Sequence, residues 1–124
     1  MSNVYDVAAL IGLTLSEITT TYDTIEMTAS DGRIAKFYHN QDCCETVSIE
    51  DVNGDWNDLV GTPILVAEKR TSNEFGGAES DNYDHHTWTF YTFRTIKGSV
   101  DVRWHGTSNG YYSESVDFIM LNAV

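Results

Sequence analysis

Apolar and polar residues alternate through the last third of the chain. Val100, Val102 and Trp104 alternate with charged or polar neighbours. A period of two is the pattern of a strand with one buried side and one solvent-facing side. Aromatic residues from Trp88 onward precede this strand, and another alternating segment follows residue 112. The pattern predicts a C-terminal meander, in which successive antiparallel strands pair with one another.

A hairpin is predicted nearer the N-terminus. Residues 25–29 and 33–38 have strand-like composition and flank Asp31-Gly32, a dipeptide that suits a type I′ hairpin turn. Residues 46–50 and 64–67 are further extended candidates, because both are short segments bounded by polar or turn-forming residues. We therefore expect about six to seven strands, most of them antiparallel.

One or two short helices complete the predicted fold. Residues 7–11 are mostly apolar and are followed by Gly12, and glycine commonly ends a helix. Together with the strands, this predicts an α+β fold dominated by antiparallel β-sheet. A length of 124 residues is typical of one globular domain, so we expect a single domain over residues 1–124.

A long exposed acidic loop is predicted over residues 71–86. The segment contains Gly76-Gly77 and many Ser, Asn, Asp and Glu residues. This composition favours irregular structure, and loops of this length inside a domain are often functional. Its carboxylates are therefore candidate partner-binding groups, namely Glu79, Asp81 and Asp84.

The chain is strongly acidic, with 19 Asp and Glu against 7 Lys and Arg and a net charge of -12. Such a field repels nucleic acid and anionic membranes and attracts basic surfaces, so we expect no direct contact with nucleic acid. No run approaches the roughly 18 apolar residues that span a bilayer, and the N-terminus lacks the basic residues of a secretory signal. We therefore expect no membrane association and a cytoplasmic location.

The two cysteines, Cys43 and Cys44, are adjacent. A disulfide between neighbouring residues closes a small ring with unfavourable geometry. We therefore predict that they do not form a structural disulfide, and that one of them is buried as a small apolar residue. A reducing compartment is consistent with this cysteine usage.

The segment from His39 to Glu45 concentrates groups that bind metals or perform acid–base and thiol chemistry. They are His39, Asp42, Cys43, Cys44 and Glu45. A structural zinc site needs four converging ligands, and the spaced ligand pairs of zinc modules are absent. Neighbouring carboxylates also disfavour a reactive thiolate. We expect hydrogen bonds that fix this loop and no cofactor, with metal or thiol chemistry as the alternative.

No Lys or Arg occurs between Lys36 and Lys69. Carboxylates in this window have no base nearby in sequence, and we expect them to face outward together as a docking surface. An aromatic side chain among acids also suits a basic partner. The predicted partner-binding residues of the window are Asp42, Glu45, Glu50, Asp51, Asp55, Trp56 and Asp58.

The run from His39 to Asp55 resembles the signature of a family of small phage and prophage proteins of unknown function. Its letters follow the pattern HxQDCCExVxIEDVxGD. Residues 58–65, 88–91, 96–100 and 108–114 are similar to the same family, whereas residues 73–86 are longer than its pattern. The resemblance implies a mobile-element origin and a compact α+β fold, and we expect the cytoplasmic location to be that of the host cell. The resemblance assigns no catalytic residues.

These observations favour a non-enzymatic acidic binding protein. We expect an inhibitor that masks a basic, nucleic-acid-binding surface of a host or anti-phage defence protein, such as a CRISPR effector, because its carboxylates can compete with phosphates. One alternative is a small metal- or thiol-dependent enzyme built on residues 39–45. Another is a protein that sequesters a small ligand or assembles into an oligomer through its aromatic faces.

Overall fold

Eight β-strands form two four-stranded antiparallel sheets in the part of the chain that the structure, a computed structural model, describes: residues 4–75, 85–108 and 113–121. The first sheet has the strand order β1-β2-β3-β8 and the second has the order β4-β7-β6-β5. The strands are β1 Leu15–Thr20, β2 Ile25–Ala29, β3 Ile34–Tyr38, β4 Thr46–Asn53, β5 Val66–Phe75, β6 His85–Thr95, β7 Gly98–Ser108 and β8 Asp117–Leu121. The predicted dominance of antiparallel sheet is confirmed.

The hairpin of β2 and β3 forms where the sequence predicts it. The Gly32 amide donates to the Ala29 carbonyl, and the Ala29 amide donates to the Arg33 carbonyl, at 3.0 and 2.8 Å. Gly32 has a φ of 96°, and every residue with a positive φ in the described part of the chain is a glycine. Asp31 therefore does not adopt the positive φ that a type I′ turn requires, so the predicted turn type is wrong.

The alternation predicted for residues 100–105 is confirmed in β7. Val100, Val102 and Trp104 are buried between the sheets. In β6 the buried positions include Tyr91 and Phe93, and both rings approach Phe37 of the first sheet, with centroids 4.9 and 5.6 Å from its own. Aromatic contacts therefore join the two sheets through one core.

The predicted C-terminal meander is wrong for its last strand. β8 pairs with β3, from Ile34 opposite Leu121 to Tyr38 opposite Asp117. Strand β7 already lies between β6 and β4, so it has no free edge for a third partner. Two sets of three consecutive strands do form meanders among the described residues, β1 to β3 in the first sheet and β5 to β7 in the second.

The predicted helices are reduced to two 3₁₀ turns, Val7–Leu10 and Trp56–Leu59, among the described residues. The first begins at Asp6, whose carboxylate accepts from the Ala8 amide, and it is followed by Gly12 with a φ of 92°. Four residues make a single turn, which lacks the length that an α-helix needs for cooperative stability. The fold of the described chain is therefore all-β in its regular structure rather than α+β.

The boundaries of the predicted 71–86 loop are also wrong. β5 continues to Phe75 and β6 begins at His85, and these two residues pair in register. β5 is an edge strand, and polar residues are tolerated there on both faces, which explains why its second half lacks an alternating pattern. Residues 76–84 lie outside the described part of the chain.

Candidate functional site

Glu45 is a buried carboxylate at the connection between β3 and β4, with only 3% of its surface exposed. Its Oε2 accepts from the His39 ring Nε2 at 2.7 Å and from the Asp42 amide at 3.0 Å. Its Oε1 accepts from the Cys43 amide at 2.9 Å and from the Gln41 side-chain nitrogen at 3.1 Å. Each carboxylate oxygen therefore receives two donors, and the residue organises the loop around it.

His39 connects this loop to the segment before β8. Its Nδ1 lies 2.6 Å from the Ser115 carbonyl, and its Nε2 faces the Glu45 carboxylate. An ionised carboxylate only accepts hydrogen bonds, so the His39 Nε2–H donates to Glu45. The ring thereby ties the buried Glu45 carboxylate to the segment before β8.

The pKa of Glu45 reflects two opposing effects. Burial by itself would raise this pKa, because a carboxylate loses its hydration in the protein interior. The hydrogen bonds from the Cys43 amide, the His39 ring and the Asp42 amide stabilise the charged form more strongly. Together they lower the pKa of Glu45 from 4.5 to about 2.

The hydrogen bonds of Glu45 bear on two predicted roles, that of a docking residue and that of a metal ligand. Glu45 does not face outward as a docking residue, because its carboxylate is satisfied internally. The candidate metal ligands His39 and Glu45 are hydrogen-bonded to each other, which favours the predicted loop-fixing role. Among the described residues, no group of three His, Cys, Asp or Glu side chains is arranged to hold a metal ion.

Cys43 and Cys44 form a disulfide, and both residues are exposed. The prediction that they remain unpaired with one of them buried is therefore wrong. The tight turn around the Glu45 carboxylate explains the difference, because it keeps the two adjacent residues on the outside of the loop. An exposed disulfide also removes the thiol that the alternative thiol chemistry requires in this state.

Removing this disulfide is expected to change stability little. A disulfide stabilises mainly by closing a loop in the unfolded chain, and adjacent residues close the shortest loop available. The double variant Cys43→Ser/Cys44→Ser should therefore shift the melting temperature by less than about 3 °C. Calorimetry of the variant and of reduced wild-type protein checks this expectation. A loss several times larger in both samples would show that the disulfide, rather than Glu45, holds the loop.

Five other acids of the base-free window lie on β4 or in the segments that flank it, whereas Glu68 lies on β5. Strand β4 is an edge strand of the second sheet. At roughly 3.3 Å per residue, this strand alone extends over about 26 Å. One acid precedes it, two lie within it and two follow it. We refer to this set as the acidic edge, and it consists of Asp42, Glu50, Asp51, Asp55 and Asp58.

Glu50 is the member of the acidic edge that has a basic partner. It occupies a β-bulge between Ile49 and Asp51, where the register of β4 against β7 shifts by one residue. Its Oε1 lies 2.6 Å from the Arg103 Nε, and its Oε2 lies 3.7 Å from the His105 Nδ1. The bulge therefore directs an additional carboxylate toward the outer face of the second sheet.

The second 3₁₀ turn positions the far end of the acidic edge. Asp55 is its N-cap, and its carboxylate accepts from the Asn57 amide at 2.9 Å. Trp56 is half-buried and packs against the hydrophobic core, and its role in partner binding stays a prediction. Lys97 donates to the carbonyls of Asn57 and Val60, both at 2.9 Å, and thereby holds the other end of the turn.

Most of the acidic edge has no cationic partner. All seven Lys and Arg residues lie in the described part of the chain, and those that form ion pairs there are Arg33 with Asp31, Lys36 with Glu26 and Arg103 with Glu50. Within the described residues, no ion pair therefore neutralises four members of the edge. They are Asp42, Asp51, Asp55 and Asp58. The predicted candidates Glu79, Asp81 and Asp84 lie outside the described residues.

A family model described as a domain of unknown function, DUF7448, matches residues 8–118. The chain belongs to this family. No match was found among curated proteins or among solved structures. Membership in an uncharacterised family agrees with the sequence resemblance, while a phage origin stays a prediction. None of the helices in the described DUF7448 residues has the length and apolar character needed to cross a lipid bilayer.

The DUF7448 structure also contains an aromatic patch that sequence reasoning missed. His86 and Trp88 stack at 5.6 Å, and His105 lies 5.0 Å from the first ring and 5.2 Å from the second. Arg70 lies 5.6 Å from the centroid of Phe90 on the same outer face. We call these five residues the aromatic patch.

A sequence signal for the aromatic patch exists in β6. Its aromatic residues occupy both faces of one strand, since Trp88 alternates with the inward-facing Tyr91 and Phe93. Such a strand is apolar on the side that faces solvent as well as on the side that faces the core, which favours a binding surface on the outside. The patch adjoins the acidic edge, because His105 lies 3.7 Å from Glu50.

Proposed function

We propose that this DUF7448 protein is a non-enzymatic binding protein that covers a basic surface of another protein. The target surface is one that normally binds nucleic acid, as in a host or defence nuclease. The carboxylates of the acidic edge would replace phosphates as partners of its Lys and Arg side chains. The observation that supports this proposal is the absence of any Lys or Arg ion pair at Asp42, Asp51, Asp55 and Asp58 within the described residues.

The aromatic patch supplies a second component of the proposed surface. Charged groups favour fast association and exclude wrong partners, whereas aromatic side chains contribute much of the affinity at protein interfaces. Phe90, Arg103 and Asp51 line one shallow depression of about 110 Å³ on this face. The depression also contains two guanidinium groups, those of Arg70 and Arg103, so a partner Lys or Arg side chain would approach it on the Asp51 side.

Acidic residues on an edge strand also serve a second purpose. An unpaired strand edge can associate with the edge of another molecule, and charges on it prevent this. The Ile49 amide of β4 donates to the Tyr22 carbonyl at 2.8 Å, so part of this edge is already covered. Preventing association between strand edges therefore does not by itself explain why carboxylates without cationic partners occur along the whole strand.

Binding to the proposed target is expected to be strongly salt-dependent. Proteins retained by the immobilised full chain from a bacterial extract at low salt would be purified and titrated individually. We expect the affinity for the true partner to fall at least about tenfold between 0.05 and 0.5 M salt, because ions screen charges at an exposed interface. Duplex DNA or RNA should compete with the protein for that partner.

Several outcomes would refute the proposal. One is a partner whose affinity does not change with salt. Another is a partner that binds nucleic acid and this protein at the same time. Retention of no basic protein at low salt would also contradict it.

A further inference from the structure

A polar cavity of about 350 Å³ opens where the two sheets meet beside β5 and β8. Its volume is at the lower end of the range in which proteins hold small ligands, so it suits a molecule of amino-acid size. The N-terminal segment closes one side with Tyr5 and Val7. The remaining lining residues are Tyr38, Asn40, Lys69, Tyr91, Val116, Asp117 and Phe118.

Two opposite charges lie in this cavity without neutralising each other. The Lys69 Nζ donates to the Val116 carbonyl at 3.2 Å, and the Asp117 Oδ2 accepts from the Asn40 amide at 3.1 Å. No ion pair within 4.0 Å links Lys69 or Asp117 to any described residue. The described residues give the ammonium one hydrogen bond and the carboxylate one, so both groups retain hydrogen-bonding capacity.

The Tyr91 hydroxyl is an independent indication of a ligand. Tyr91 is fully buried, and its hydroxyl has no hydrogen-bond partner among the described residues. Tyr91 and Asp117 both line the cavity. Burial raises the pKa of Tyr91 above its ordinary value, and the negative charge of Asp117 raises it further. A buried hydroxyl without a partner is costly, so a polar group in the cavity would relieve that cost.

We propose that this cavity binds a small zwitterion of the amino-acid class with an apolar side chain. The ligand carboxylate contacts Lys69, its ammonium contacts Asp117, and the Tyr91 hydroxyl provides a further hydrogen bond. Val116 and Phe118 give the ligand side chain an apolar wall. A ligand with only one of the two charges would lose one of these contacts and should therefore bind more weakly than the zwitterion.

The test uses the full chain and ligands that differ by one charge. The probes are L-phenylalanine and L-leucine, their amides, which lack the carboxylate, and their N-acetyl derivatives, which lack the ammonium. In titration calorimetry, at least one free amino acid should bind roughly tenfold or more tightly than either of its derivatives. Equal affinities, or no binding by both free amino acids up to about 10 mM, would overturn the proposal.

Protein variants assign each ligand charge to its residue. Lys69→Met should abolish the preference for the acid over the amide, and Asp117→Asn should abolish the preference for the amine over the N-acetyl form. Lys36→Met removes an equal charge from the exposed surface and should preserve both preferences. Retention of both preferences in the two cavity variants would contradict the assignment. The ligand comparison on the wild-type chain decides the outcome even where a variant does not fold.

Discussion

Replacing Glu45 by Gln is expected to lower the melting temperature by roughly 10 °C or more at neutral pH. The carboxylate receives two donors on each oxygen, from His39 and the Asp42 amide on one side and from Gln41 and the Cys43 amide on the other. A glutamine has one oxygen and one NH₂ group. The NH₂ group would take the place of one carboxylate oxygen, so the two donors that pointed to that oxygen would face another donor. These buried groups would then have no acceptor.

The effect of this substitution should depend on pH in a defined direction. The pKa of Glu45 is about 2 in the folded protein, compared with 4.5 for the ordinary side chain. The unfolded chain therefore binds more protons between these values, and the stabilisation by Glu45 is complete above about pH 4.5 and is lost toward pH 2. The difference in melting temperature between wild type and Glu45→Gln should shrink over that window.

Glu17→Gln is the matched control for this experiment, because Glu17 is an exposed acid on strand β1. It should leave the melting temperature at neutral pH within a few degrees of the wild type, as is usual for surface substitutions. Equal effects of the two substitutions would contradict a structural role for the buried carboxylate. A difference that does not shrink in acid would also contradict it.

Replacing Gly54 by Ala is expected to destabilise the protein by roughly 3 kcal/mol or more. Gly54 has a φ of 118°, which side-chain-bearing residues rarely adopt. A Cβ at this position would overlap the Ser99 carbonyl oxygen and would lie 3.0 Å from the Val100 Cα. Both atoms belong to the backbone of β7, so neither can rotate away. The substitution would push apart β7 and the end of β4, immediately before Asp55 of the acidic edge.

Gly12→Ala separates the steric effect from the backbone effect. Gly12 also has a positive φ, 92°, but an added Cβ there would have no atom within 4 Å. Only the conformational cost remains, and it is about 1 kcal/mol. Urea denaturation of both variants measures the difference. Similar losses of stability would contradict the close packing of Gly54 against β7.

Local features of the fold could be predicted from the sequence, whereas long-range pairing could not. The β2–β3 hairpin is specified by a turn at Gly32, and the period of two in β7 follows from burial of one face. The pairing of β8 with β3 instead of β7 depends on which strand edges remain free after the sheets assemble. The second half of β5 also carries no burial period, since it forms an edge.

The candidate site was predictable only in part for a similar reason. Glu45 and Asp42 are both acids of the same window, but one is buried and the other is exposed. Glu45 differs from Asp42 because hydrogen-bond donors such as His39 surround its carboxylate. The position of His39 depends in turn on its contact with Ser115, which is far along the chain. Aromatic residues on both faces of β6 likewise indicate a patch on its outer side, but they do not show which residues of other strands complete it.

The docking role of the acidic edge is tested most directly by two variants of equal net charge. One carries Asp42→Asn, Asp51→Asn and Asp55→Asn, and asparagine retains the N-cap function at position 55. The other carries Glu17→Gln, Glu26→Gln and Glu68→Gln, which are substitutions of exposed strand residues away from the acidic edge. The affinity of each variant for a purified partner is measured at about 0.1 M salt, where exposed charges act over about 10 Å.

We expect the edge variant to bind at least about tenfold more weakly than wild type, and the control variant to stay within about twofold. Equal weakening of both variants would show that net charge alone drives association, and would contradict a docking surface on β4.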